Sequence, residues 1–256
     1  MTKKFRLKVY RGVPGSQYWE TYELEERTGL NIVSALMILQ RNPVTIDGKR
    51  VTPIAYESGC LENVCGSCSM LINGYPKQAC AALVRQIIET TKNPEITLAP
   101  FTKFPLIRDL MIDRSAMFEN LKAISGWIEA DATWDHGPGP KITPHEQEVR
   151  YVLSTCMTCG CCSEGCPQVN AHSDFMGPAP ISQARLFNAH PTGHTEKAKR
   201  LHALMGEDGV NACGNAQNCR EVCPKKIPLT ESIAVIYRDV TKQSFRDMFS
   251  PVDRET

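Results

Sequence analysis

The chain has 256 residues, enough for two domains that each bury a core. Its 29 Lys and Arg balance 28 Asp and Glu, which argues against a nucleic-acid binder. Twelve cysteines invite a disulfide reading, but residues 1–5 form no apolar signal-peptide core and no run approaches the ~18 apolar residues of a membrane span, so clustered cysteines in a reducing compartment read as metal ligands.

Residues 1–105 read as a mixed domain. Phe5, Leu7 and Val9 alternate with polar residues as in a half-buried strand, and residues 18–24 can pair with it as a hairpin. Asn31 precedes an apolar segment, 32–39, that Pro43 soon follows, so one helix is predicted there. Residues 69–72 and 77–79 flank Asn73-Gly74, the strongest short hairpin signal in the chain, and 96–99 can close a small sheet. Two strands, a helix and more strands is the order of a β-grasp.

Residues 106–256 are predicted helical. Ile107, Leu110, Met111, Phe118, Leu121 and Ile124 recur at helical spacing. Residues 131–141 contain Gly137-Pro138-Gly139-Pro140 and are predicted irregular. Thr143-Pro144-His145-Glu146 reads as an N-cap, a proline at the first helical position and a capping-box glutamate. Residues 182–189, 196–205 and 230–240 are further helix candidates, with Gly206 as a C-cap. The expected class is therefore α+β: an N-terminal β-grasp domain and an all-α C-terminal domain.

The cysteines fall into three sets. Cys60-x4-Cys65-x2-Cys68, with Cys80 returned by the Asn73-Gly74 turn, matches the plant-type [2Fe–2S] spacing, and Gly59 and Gly66 let backbone N–H groups approach the sulfurs. Cys156-x2-Cys159-x2-Cys162-x3-Cys166-Pro167 is the run of two-cluster bacterial ferredoxins, and Cys213-x5-Cys219-x3-Cys223-Pro224 is its partner. In such pairs the last cysteine of each run serves the other run's cluster. Cys156, Cys159, Cys162 and Cys223 then make a complete [4Fe–4S] set. Cys166, Cys213 and Cys219 lack a fourth member, because position 216 is alanine, and three ligands favour [3Fe–4S], unless water or another group fills the corner. Cys161 lies off the repeat, as a small buried thiol or part of an alternative ligand register. A zinc-stabilised module is the competing class, and it would want self-contained sets of four ligands. Three oxidised clusters of about −2 each would take the holoprotein to about −5.

With these motifs, and with Ser58-Gly59-Cys60, Ile72-Asn73-Gly74 and Phe175-Met176-Gly177-Pro178-Ala179, the chain resembles over essentially its full length the iron–sulfur subunit of succinate dehydrogenase and fumarate reductase, respiratory complex II. Arg108-Asp109-Leu110 and 187–191 look like the Bacillus-type members that use menaquinone. The resemblance implies a flavoprotein partner with covalent FAD and the dicarboxylate site, and a membrane-anchor partner that often carries haem b. It implies electron flow through [2Fe–2S], [4Fe–4S] and [3Fe–4S] to a quinone, and a peripheral position on the cytoplasmic face of the cell membrane. The same wire serves succinate oxidation or fumarate reduction. Soluble thiol-driven fumarate reductases typically extend further, with additional cysteine-rich segments, and this sequence stops at Thr256 with none. Many ubiquinone-using members carry a tryptophan after the first Cys-Pro and a histidine after the first [3Fe–4S] cysteine. Here 169–171 and Gly214 stand in those places, which leaves Pro167 as the quinone-side residue carried over.

Other residues are less telling. His172, six residues after Cys166, is a candidate quinone-side proton donor against a surface reading. Lys225-Lys226 could offset an anionic cluster, face lipid head groups or be simply solvated. Trp19, Trp127 and Trp134 read as core or subunit-interface residues.

Overall fold

The computed structural model describes residues 3–129 and 141–249. The predicted irregular stretch, with Trp134 and His136, lies outside the described residues except for Lys141. The chain divides into two compact units, Met1–Arg114 with Met157–Glu164, and Ser115–Cys156 with Gly165–Thr256.

The first unit is built on a five-stranded sheet. Strands β1 (Lys4–Val13) and β2 (Ser16–Glu25) form the expected hairpin, with Leu7 opposite Tyr22. Phe5, Leu7 and Val9 all point into the core. Helix α1 (Ile32–Arg41) starts where the sequence predicts, because Asn31 Oδ1 accepts the Ser34 N–H at 2.8 Å. Strands β3 (Ser69–Ile72) and β4 (Tyr75–Gln78) turn at Asn73-Gly74, whose φ values of 51° and 78° are those of the tight hairpin turn. Helix α2 (Val84–Thr91) then leads to β5 (Glu95–Ala99), which pairs parallel with β1 and antiparallel with β3. The order β2-β1-β5-β3-β4, with Ile32, Val33, Leu36 and Leu39 of α1 buried in the same core as the sheet, is the predicted β-grasp.

The helical reading of 106–112 is corrected. Strands β6 (Leu106–Arg108) and β7 (Met111–Ile112) form a small hairpin. Asp109 turns it at φ 50° and is held there by tertiary partners. Its carboxylate accepts the Gly12 N–H at 2.8 Å, the Ala55 N–H at 2.9 Å and the Arg11 guanidinium at 3.3 and 3.4 Å. Arg11 is buried among Glu20, Tyr22 and the Thr52 and Pro53 carbonyls, so the charge is paired and its donors are used.

The second unit is helical, with α3 (Ser115–Ala123) and α4 (Pro144–Ser154). The chain passes from α4 through Cys156 into the short helix α5 (Cys161–Glu164), which belongs to the first unit. It returns as α6 (Pro178–Ala189), α7 (Lys197–Ala203), α8 (Asn218–Glu221) and α9 (Leu229–Phe249). The capping box at Thr143 forms in full: Thr143 Oγ1 accepts the Glu146 N–H, and the Glu146 carboxylate accepts the Thr143 N–H at 2.9 Å. Ile181, Ala184, Leu201, Leu204, Ile236 and Val240 make the core, with Cys166 at its edge. Arg200, fully buried, donates to the Ser125, Trp127 and Gly193 carbonyls and so ties the α3–α4 connection to α7. Gly206 does not cap α7, which ends at Leu204 in a right-handed conformation. Among the described residues no helix is long and apolar enough to cross a membrane.

Candidate iron–sulfur sites

The loop 59–68 is shaped to face sulfur. Leu61, Asn63 and Gly66 take positive φ values of 59°, 57° and 72°. This alternation turns successive N–H groups to one side, as in an anion-binding nest. The N–H groups of Glu62, Val64 and Cys65 all donate to Cys60 Sγ at 3.3 Å, and that of Cys60 donates to Cys65 Sγ at 3.4 Å. The Cys60 N–H and then the Ser67 hydroxyl pull the Cys65 thiol down to about 6. Cys68 and Cys80 lie beneath, buried, with the Cys80 N–H donating to Cys68 Sγ at 3.4 Å. Burial pushes the Cys68 thiol up to about 12. Four cysteines, three of them with backbone donors aimed at their sulfurs, fit a [2Fe–2S] core, whose reduction adds negative charge that such donors stabilise.

The segment 157–164 belongs to the same unit. Gly66 meets it so closely that a Cβ there would lie 2.8 Å from Cys159 Cα and from the Met157 carbonyl oxygen. Arg114 donates to the Gly66 and Thr158 carbonyls at 3.4 and 3.5 Å and pairs with Glu57 at 3.4 Å. Glu164, mostly buried, closes the segment: its carboxylate accepts the Thr102 N–H at 3.0 Å, the Thr102 hydroxyl at 2.7 Å and the Lys103 N–H at 3.1 Å. Cys159, Cys161 and Cys162 are all buried. Cys156 and Cys223 lie in the second unit.

Within the second unit Cys166, Cys213 and Cys219 come together. Burial raises the Cys219 thiol to about 11, and the nearby Cys166 and Cys213 sulfurs add to this. Ala216 is exposed on a turn between Asn215 and Gln217, both at positive φ. Gly214 faces Gln168: a Cβ at 214 would sit 2.4 Å from Gln168 Nε2, so this amide fills the space that a side chain at 214 would take. Pro167 and His172 lie on the partly exposed turn after Cys166, where Asn170 Nδ2 donates to the Pro167 carbonyl at 2.9 Å.

Trp19 and Trp127, expected in a core or a subunit interface, are both exposed on this chain, and Trp19 packs at a tilt against Tyr10 with Lys8 over its ring. Sequence reasoning missed Gln78, Arg114 and Glu164. A lone Gln, Arg or Glu carries no local signal of burial, and only the clustering of Glu164 inside a cysteine run could have flagged it.

Residues 6–119 match the 2Fe-2S iron-sulfur cluster binding domain family, and residues 152–227 match the 4Fe-4S dicluster domain family. The chain is 52% identical over 232 residues to the succinate dehydrogenase iron-sulfur subunit of Bacillus subtilis, covering 91% of this chain and 90% of that one. It is 35% identical over 200 residues to the fumarate reductase iron-sulfur subunit of Haemophilus influenzae, covering 73% and 75%. A chain of the Mycobacterium smegmatis Sdh1 complex superposes with a TM-score of 0.78 at 25% identity, covering 96% of this chain and 98% of that one. The full-length likeness at 52% identity, together with the three groups of cysteines, means that the chain belongs to the family of succinate dehydrogenase and fumarate reductase iron–sulfur subunits.

Proposed function

We propose that this chain carries single electrons between the FAD of a flavoprotein subunit and a membrane quinone. When bound, the three clusters supply one-electron steps, which connect a two-electron donor to a two-electron acceptor. The ligands assigned are Cys60, Cys65, Cys68 and Cys80 for [2Fe–2S], Cys156, Cys159, Cys162 and Cys223 for [4Fe–4S], and Cys166, Cys213 and Cys219 for [3Fe–4S]. The loop N–H groups at 60–65 point at the Cys60 and Cys65 sulfurs in a partly exposed loop, where a partner can approach. Cys166 and Cys219 are buried at the far end of the path, with Cys213 half-buried beside them. Pro167 is assigned to the quinone side, with menaquinone as the quinone. The partners are the flavoprotein and an anchor subunit with haem b, and the chain sits peripherally on the cytoplasmic face of the membrane. Running the same path in reverse gives fumarate reduction, and the likeness to fumarate reductase subunits supports that second direction.

The observation that carries this reading is the group Cys166, Cys213 and Cys219 with alanine at 216, which provides for three irons where a cubane has four. Elemental analysis of the isolated complex, corrected for haem iron, is expected to give iron to acid-labile sulfide near 9:10. Ala216→Cys is expected to bring the ratio to about 1:1 and to abolish the oxidised-state paramagnetic signal of the three-iron centre. Zinc in place of iron, or two complete cubanes in the parent, would overturn the assignment.

A further inference from the structure

Cys161 is the one cysteine outside the assigned ligand sets, and its side chain is fully buried. It is not idle. Gln78, at the end of β4 and also buried, donates from Nε2 to Cys161 Sγ at 3.3 Å and to Ser69 Oγ at 2.9 Å. Ser69 in turn donates to the Gly66 carbonyl at 2.6 Å, so the Gln78 amide is held from both sides. Cys159 Sγ lies within hydrogen-bond reach of the Cys161 S–H and N–H and beside the Gln78 amide.

We infer that Gln78 and Cys161 form a buried donor set for the Cys159 sulfur that raises the reduction potential of the [4Fe–4S] centre, with Cys161 a positioning residue rather than a ligand. This rests on the assignment of Cys159 to that centre. Adding an electron to a thiolate-ligated cluster increases the negative charge on its sulfurs, and hydrogen-bond donors stabilise that charge. The effect is larger in a buried, low-dielectric setting than in water. The donors are also fixed. Cys161 opens the short helix that Glu164 anchors to Thr102 and Lys103, and Gln78 stands two residues before Cys80 on the chain that returns this ligand to the first cluster. One strand thus delivers a ligand to [2Fe–2S] and a hydrogen bond to the next centre.

The test is a potentiometric titration of the whole complex followed by electron paramagnetic resonance, comparing the parent with Cys161→Ala, Cys161→Ser and Gln78→Leu. In Cys161→Ala the [4Fe–4S] signal is expected to persist. Its reduced-to-oxidised ratio at a fixed potential is expected to fall up to tenfold, a shift of about 59 mV to more negative potential for one electron. Gln78→Leu is expected to move it the same way, and Cys161→Ser, which keeps a donor, to stay near the parent. The three-iron centre serves as the unmoved control. Parent-like potentials in both Cys161→Ala and Gln78→Leu would overturn the inference. So would loss of the four-iron centre in both Cys161 variants, which would make Cys161 a ligand. Should Cys161→Ala alone fail to assemble, Gln78→Leu decides, since it leaves both sulfurs in place. A parent complex without a four-iron signal would instead overturn the ligand assignment beneath the inference.

Discussion

The loop 59–68 and the segment 157–164 are both cysteine-bearing and both parts of the first unit, yet they are held by opposite means. The loop is shaped by its own backbone: left-handed residues turn N–H groups onto Cys60 and Cys65, while Leu61 and Val64 stay exposed around it. The segment is held by distant side chains, Gln78, Arg114 and Glu164, and its cysteines are buried. A site that exchanges electrons with another protein needs an exposed edge, and backbone donors provide polarity without bulk. A site inside the protein can be tuned by side chains, because burial makes each donor count for more.

The most damaging way to break this contrast is at Gly66, where the two regions touch. Gly66→Val places a β-branched residue at φ 72° and a Cβ against the backbone of Cys159 and Met157, which cannot give. A cost of about 4–6 kcal/mol follows from overpacking and strain together. Iron analysis of the purified complex should find both the two-iron and the four-iron centres depleted; retention of both would mean the contact is slack. Asp109→Ala strikes the root of the loop, since Asp109 holds the Ala55 N–H just upstream of Cys60 and neutralises buried Arg11. A loss of about 3–5 kcal/mol is expected, read as earlier unfolding in urea and as faster proteolysis between residues 50 and 60. Glu164→Gln loosens the segment alone. One carboxylate oxygen becomes an amide that opposes the Thr102 and Lys103 donors, at about 1–3 kcal/mol. The two-iron signal should keep its line shape while the four-iron signal broadens; broadening of the two-iron signal alone would reverse the picture. Thr143→Ala lies outside both regions and sets the floor, at about 1 kcal/mol for a lost cap. The Glu146 carboxyl of this capping box is held below its ordinary range, first by the Thr143 N–H. Its share of stability is therefore present above the ordinary carboxylate range and disappears as pH falls through the lowered value. The parent's advantage over Thr143→Ala should shrink in part on acidification, as the Thr143 hydroxyl loses its carboxylate acceptor, while the share from the Glu146 N–H to Thr143 Oγ1 bond persists.

Much of this could be read from the chain because the signals were local. The Asn73-Gly74 turn, the Asn31 and Thr143 caps and the cysteine spacings each depend on residues within a few positions of one another. The misread hairpin at 106–112 had a helical spacing, Ile107, Leu110 and Met111, and lost to a tertiary effect: Arg11, almost a hundred residues away, fixes Asp109 in a left-handed turn. Helix α2 was missed because Leu83 offers no side-chain cap and the helix is only eight residues long. Helix α9 runs nine residues past the predicted end because no glycine or proline stops it. The cysteine sites showed in the sequence as ligand sets, while the groups that hold and tune them, Gln78, Ser69 and Glu164, are visible only once the strands are paired.

The membership of 157–164 in the first unit has a consequence for biosynthesis. The strands and helices of 1–114 leave the ribosome as a nearly complete fold that lacks one piece. At ~5–20 residues per second, about forty more residues take roughly two to nine seconds to appear. Throughout that interval Gln78, Phe101 and Phe104 have nothing to pack against at Cys161 and Gly160. The first unit is therefore complete only when the segment 157–164 has been made and has packed against these three side chains.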